Sequence, residues 1–126
     1  MIVQMAHLYA TACLAVVFFQ CALIGGAPLG RWTQGGRHPG RLLLSGRIVA
    51  AVSVPVLLFQ ALAVLSAAGF PGLDWPRWTG WAAVTVSAVS AVLNGVTPSA
   101  PERALWFPVV LVMAGLAAYV MISTMV

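Results

Sequence analysis

The chain has 126 residues, 62% of them hydrophobic and only 6% charged, with a formal net charge of +4. A soluble fold of that composition would lack the polar surface to cover itself, so its long apolar runs read as membrane-spanning helices. The positive charge would point to nucleic acid in a soluble domain. Here the arginines lie in short segments between apolar runs, which is the pattern of membrane topology and argues against a nucleic-acid partner.

The first expected span covers residues 3–24. At about 1.5 Å per residue it crosses a hydrocarbon core of about 30 Å. No basic residue precedes it and the run is too long for a signal-peptide core, so it is expected to remain as a span. Gln4, His7 and Thr11 share one face near its start, and Gln20 lies near its end. Cys13 and Cys21 are about 12 Å apart along this helix, beyond disulfide reach.

A basic loop follows over residues 25–46, with Arg47 at its border. Residues 25–47 hold Arg31, Arg37, Arg41 and Arg47, together with His38 and seven glycines. The glycines, Pro28 and Pro39 prevent a regular helix through most of the loop, and residues 42–44 are expected to lead into the next one.

The second span covers residues 47–68. Pro55 frees the carbonyl of Ala51, which predicts a kink, and Ser53, Gln60 and Ala67 form one stripe expected to face other helices. A short turn, GFPGLDWPR, places Asp74 where it could cap the third helix. That third span covers residues 75–96. Its face of Ala83, Ser87, Ser90, Ala91 and Asn94 is small and polar, which lets another helix approach closely and would let Asn94 bridge two helices. In the turn TPSAPER, Ser99 and Glu102 have capping-box spacing, Pro98 stops the preceding helix and Pro101 suits a first turn. The fourth span covers residues 99–124 and contains Pro108, Ala114 and Ala118.

Four spans put both termini on one side. Arg31, Arg37, Arg41, Arg47 and Arg103 fall on the other side, against Arg77 alone. The positive-inside rule then makes the long loop cytoplasmic and the termini external. Trp32 and Trp106 at the inner boundary, with Trp75, Trp78 and Trp81 at the outer one, form the expected aromatic belts.

His7 is the one histidine within a span and so the one helical candidate for cofactor ligation; its bland reading is a hydrogen-bonded packing residue. Metal sites need several convergent ligands, whereas Asp74 and Glu102 lie at opposite membrane faces, so neither a metal nor a cofactor is expected. No span carries a charged residue at its middle, where ion-coupled transporters keep one. That separates the chain from the small multidrug exporters, four-helix proteins that depend on a membrane glutamate. The arginine loop suits anionic lipid head groups, at about 1 kcal/mol per basic residue, or an acidic patch on a partner. It has no Walker pattern.

The run NGVTPSAPERALWFPVVLVM, with GAPLGRW and SGR, resembles a group of short, uncharacterised bacterial membrane proteins with four predicted helices. The resemblance covers both loops on the arginine side and their flanks, about a third of the chain. It supports the architecture only and carries over no activity; the expected location is a bacterial inner membrane. Arginine in place of lysine throughout fits a GC-rich bacterial gene.

The expectation is therefore an all-α, four-helix membrane bundle with a non-enzymatic role. Small or polar residues occur on all four spans, and polar groups facing lipid are costly. An accessory or structural subunit, covered by another integral membrane protein or by self-association, meets that requirement. Ser53, Gln60, Ser87, Ala91 and Asn94 would be its packing residues. The alternative is a small oligomeric channel or facilitator with a polar path through Gln60, Ser87 and Asn94. An enzyme acting on a lipid or quinone lacks an evident acid–base pair.

Overall fold

A computed structural model describes residues 1–125. They form an all-α bundle of four helices: α1 (Ile2–Ile24), α2 (Leu44–Ala67), α3 (Arg77–Val96) and α4 (Ala100–Ser123). Each is long and apolar enough to cross a membrane. α1 packs along α2 and α3 along α4, while α1–α4 and α2–α3 contacts close the ring. One end of the bundle carries the start of α1, the end of α4 and the α2–α3 turn, and is called here the terminal end. The other carries the α1–α2 loop and the α3–α4 turn, and is called the loop end.

The core explains where the helices meet. Ala6, Tyr9, Cys13, Ala61, Val64, Ala83, Ala117 and Val120 are buried in one cluster toward the terminal end. Small side chains allow close backbone approach, which is how helices associate when lipid is as apolar as the core. Gly80 is the tightest of the glycines in these four helices, since an added Cβ would collide with the Met121 side chain. The Arg77 guanidinium donates to the Met121 carbonyl and ties the start of α3 to the end of α4. Ser66 Oγ accepts from the Trp75 amide at 2.9 Å, fixing the α2–α3 turn.

Two helix starts differ from expectation. α2 begins at Leu44, three residues before Arg47, and α3 begins at Arg77 with Pro76 as the preceding residue. Asp74 therefore lies outside the capping position, and no side chain caps α3. The physical reason is Pro76: it holds its predecessor Trp75 in extended backbone and delays the first helical residue. Ser99 does cap α4, accepting from the Glu102 amide at 3.2 Å, with Pro101 in the first turn. Both α2 and α4 continue as helices through Pro55 and Pro108.

The glycine-rich loop is irregular yet tightly tied. It contains two short 3₁₀ turns, Gly30–Trp32 and Gln34–Gly36. The Gly30 and Arg31 amides donate to the Gly40 and Pro39 carbonyls at 3.0 and 3.1 Å, closing the loop on itself. Trp106 Nε1 donates to the Trp32 carbonyl at 2.9 Å, Ser99 Oγ to the Arg31 carbonyl at 2.6 Å, and Gln34 Nε2 to the Gly46 carbonyl at 2.8 Å. The loop is thus fastened to α2 and α4 and covers the loop end of the bundle.

Candidate functional site

Three polar side chains from three helices meet inside the bundle. Tyr9 Oη and Ser87 Oγ are 2.6 Å apart, and Gln60 Nε2 donates to both, at 3.0 and 3.2 Å. All three residues are buried. By helical rise they lie about 10 to 15 Å in from the terminal end. A buried phenol requires a partner, and here it finds two. The Gln60 amide uses both of its hydrogens in the cluster.

Below this cluster, toward the loop end, the helices part around a cavity of about 480 Å³. α1 contributes Val16, Phe19 and Gln20, α3 contributes Val86, Ser90 and Asn94, and α4 contributes Trp106, Val110 and Met113. Its open edge runs along α2, where the lining residues Ile48, Val49, Val52 and Val56 are 40 to 60% exposed. Gln60 and Ser87 of the cluster border one end, and Thr33 and Glu102 border the other. Such a volume is that of a small-molecule site, apolar with a few placed polar groups.

Glu102 belongs to this site although sequence reasoning read it only as half of a capping box. It is 8% exposed. Its Oε1 accepts from the Thr97 hydroxyl and, at 3.3 Å, from the Gly35 amide. The carboxylate thus leaves the Ser99 amide, which turns instead to Thr97 Oγ1 at 3.3 Å. The sequence signal for this would be the threonine five residues upstream, within reach of a first-turn acid. The Gly35 contact, 67 residues away in the chain, leaves no local trace.

The other anticipated residues separate into two groups. Gln60, Ser87 and Ala91 are buried between helices. Ser53 and Asn94 are half-buried and bond their own helix, Ser53 Oγ to the Val49 carbonyl at 3.0 Å and Asn94 Nδ2 to the Ser90 carbonyl at 2.8 Å. Asn94 therefore does not bridge two helices within the chain, because the carbonyl one turn back is nearer than any neighbouring acceptor. Gln60, Ser87 and Asn94 all line this cavity, with Gln60 and Ser87 joined to Tyr9 at its inner end.

The four loop arginines also divide. Arg47 Nε and Nη2 both donate to the Ile24 carbonyl, at 2.9 and 2.6 Å. It braces the end of α1, because a last-turn carbonyl lacks a helical donor. Arg31, Arg37 and Arg41 remain exposed, Arg31 lying 5.0 Å from the Trp32 ring and Arg41 against Gly26. His7 is exposed on the outer face of α1. Its Nδ1 donates to the Val3 carbonyl at 2.8 Å, and its ring sits 6.0 Å from that of Phe70.

Among the described residues, every enclosed side-chain nitrogen and oxygen has a hydrogen-bond partner. Tyr9, Gln60 and Ser87 meet one another, and Thr11, Ser53, Thr85 and Asn94 each bond a carbonyl one turn back on their own helix. The chain matches no protein-family model, and no curated protein and no solved structure resembles it closely enough to align.

Proposed function

We propose that this small multi-pass membrane protein is a non-enzymatic binding protein that takes up a small membrane-dissolved molecule through the open edge along α2. The observation that carries this reading is the 480 Å³ cavity, bordered at its two ends by polar side chains and lined between them mostly by valines and aromatic rings with a few polar groups. It is close to the facilitator alternative, with a dead-ended pocket in place of a through path. The accessory-subunit reading drew its force from polar faces that needed a cover. Gln60 and Ser87 find partners inside the chain, and Ser53 and Asn94 line the cavity, which is what supports the binding reading.

The test is to fill the space. Ser90 lines the cavity and is half-buried, so Ser90→Trp should occupy it with little change in the melting temperature. Wild type extracted in mild detergent should carry a small molecule detectable by native mass spectrometry, and Ser90→Trp should have lost it. Identical small-molecule content in both would reject the binding reading. A protein co-purifying stoichiometrically with both would restore the accessory-subunit reading.

We further propose a bacterial inner membrane, with the loop end cytoplasmic and anionic head groups held by Arg31, Arg37 and Arg41. Support comes from these exposed arginines at one end, against Arg77 at the other. A single cysteine introduced as His38→Cys, with Cys13 and Cys21 replaced by alanine, should resist an impermeant maleimide in intact cells and react after lysis. Labelling of intact cells would invert the topology.

A further inference from the structure

The polar atoms left over in the cavity are unequal in kind. Gln60 commits its amide hydrogens to Tyr9 and Ser87, Asn94 turns its amide nitrogen to the Ser90 carbonyl, and Ser53 donates to the Val49 carbonyl. Gln60 Oε1, Asn94 Oδ1 and Glu102 Oε2 make none of these bonds. Enclosed polar side-chain atoms among the described residues all have partners, so the unbonded oxygens of buried Gln60 and Glu102 border open space. The open space they line is the cavity. Gln20, Ser90 and Thr33 line the same space and none of their side chains bonds another described residue, so neutral donors stand beside these acceptors.

Charge singles out one of these atoms. Glu102 is one of two acidic residues in the chain, and it is the one aimed into the bundle. A carboxylate at the end of an apolar slot is costly unless something offsets its charge. Thr97 and Gly35 each give it one hydrogen bond, both at the same oxygen. Near it, the Phe19 and Trp106 rings stand edge to face with centroids 4.8 Å apart, and aromatic faces favour cations. Glu102 and Met113 on α4 delimit a slot about 16 Å long by helical rise.

We infer that the cavity takes an organic amine: a compact, apolar body with one ammonium group, the ammonium end at Glu102 and the body between Phe19, Val52, Val86 and Val110. This rests on the binding reading proposed above and adds the chemical class of the ligand. A neutral molecule of the same shape would leave Glu102 Oε2 without a charged partner. A carboxylate would meet the like charge of Glu102.

The experiment compares phenylbutylamine, phenylbutanol and phenylbutanoate on the full chain in lipid nanodiscs, by isothermal titration at neutral pH. The amine is expected to bind at least tenfold more tightly than the alcohol, with the carboxylate weakest. Glu102→Gln preserves acceptance from Thr97 and Gly35 and should abolish the preference while alcohol binding stays within twofold. Asn94→Leu, which touches none of the loop's bonds, should weaken the amine more than the alcohol, and it serves if Glu102→Gln does not fold. Ser90→Trp should remove binding of all three. Equal affinity of amine and alcohol for the wild type would overturn the amine assignment and leave the cavity reading intact. So would an amine preference that survives both Glu102→Gln and Asn94→Leu. Binding of none of the three probes, or binding unaffected by Ser90→Trp, would overturn both.

Discussion

Replacing Ser87 with leucine is expected to lower the melting temperature of the purified protein by about 10 °C, while Val89→Leu, two residues away on the same helix, changes it by about a degree or less. Ser87 is 2% exposed at the junction of α1, α2 and α3, and Val89 is 52% exposed. Two effects add at position 87. Loss of the hydroxyl removes a bond to Tyr9 and one to Gln60. Interhelical bonds of this kind within membranes average only about 0.6 kcal/mol each, so that part comes to about 1 kcal/mol. The larger part is steric, because extra methylenes forced into a packed junction cost about 1 to 3 kcal/mol. Ser87→Ala separates the two, and should cost about 1 kcal/mol with no overpacking. The expected order of stability is thus wild type and Val89→Leu together, then Ser87→Ala, then Ser87→Leu. Should Ser87→Leu and Val89→Leu melt alike, the polar cluster does not hold the helices together.

That cluster also marks the limit of what the sequence makes legible. Span lengths and apolarity dictate four helices whatever their neighbours do, so the architecture could be read directly. The small face of α3 could be read as well, because Ala83, Ser87 and Ala91 recur at helical spacing and all three are buried. Tyr9 could not. It sits in a helix whose one polar face, Gln4, His7 and Thr11, is exposed, and its partners Gln60 and Ser87 are 51 and 78 residues away. Glu102 failed for a different reason. A capping box is a local pattern, and its local half formed as Ser99 accepted the Glu102 amide. The carboxylate was then drawn to the Gly35 amide, placed there by a loop whose path depends on non-local carbonyl contacts. Asp74 shows local chemistry overruled within two residues, since Pro76 moved the helix start beyond its reach. The cavity follows from the same asymmetry. Alanines and Gly80 draw the helices together at the terminal end, whereas Phe19, Trp106 and the pinned loop hold them apart at the other.

The loop itself gives the second large effect. Gly30→Ala is expected to increase tryptic cleavage at Arg37 and Arg41 by more than tenfold, while Gly40→Ala leaves the rate within about twofold. An added Cβ at Gly30 would collide with the backbone carbonyl of His38 and come within 2.6 Å of the carbonyl of Gly40. Neither is the tip of a flexible side chain, so the strand carrying residues 38–40 must move. The bonds from the Gly30 and Arg31 amides to Gly40 and Pro39 would be lost with it. At Gly40 the same methyl group meets nothing within 4 Å. Proteolysis reports the open population of a segment, and each tenfold increase corresponds to about 1.4 kcal/mol of lost local stability. Two backbone bonds and one steric collision supply at least that much. The four helices pack through a separate core, so the melting temperature of Gly30→Ala should fall by only a few degrees. Because Thr33 and the Gly35 bond to Glu102 form the loop end of the cavity, amine affinity should fall with it. Equal cleavage of the two variants would mean that residues 30–40 are not fastened as described, and that the cavity has no fixed floor at its loop end.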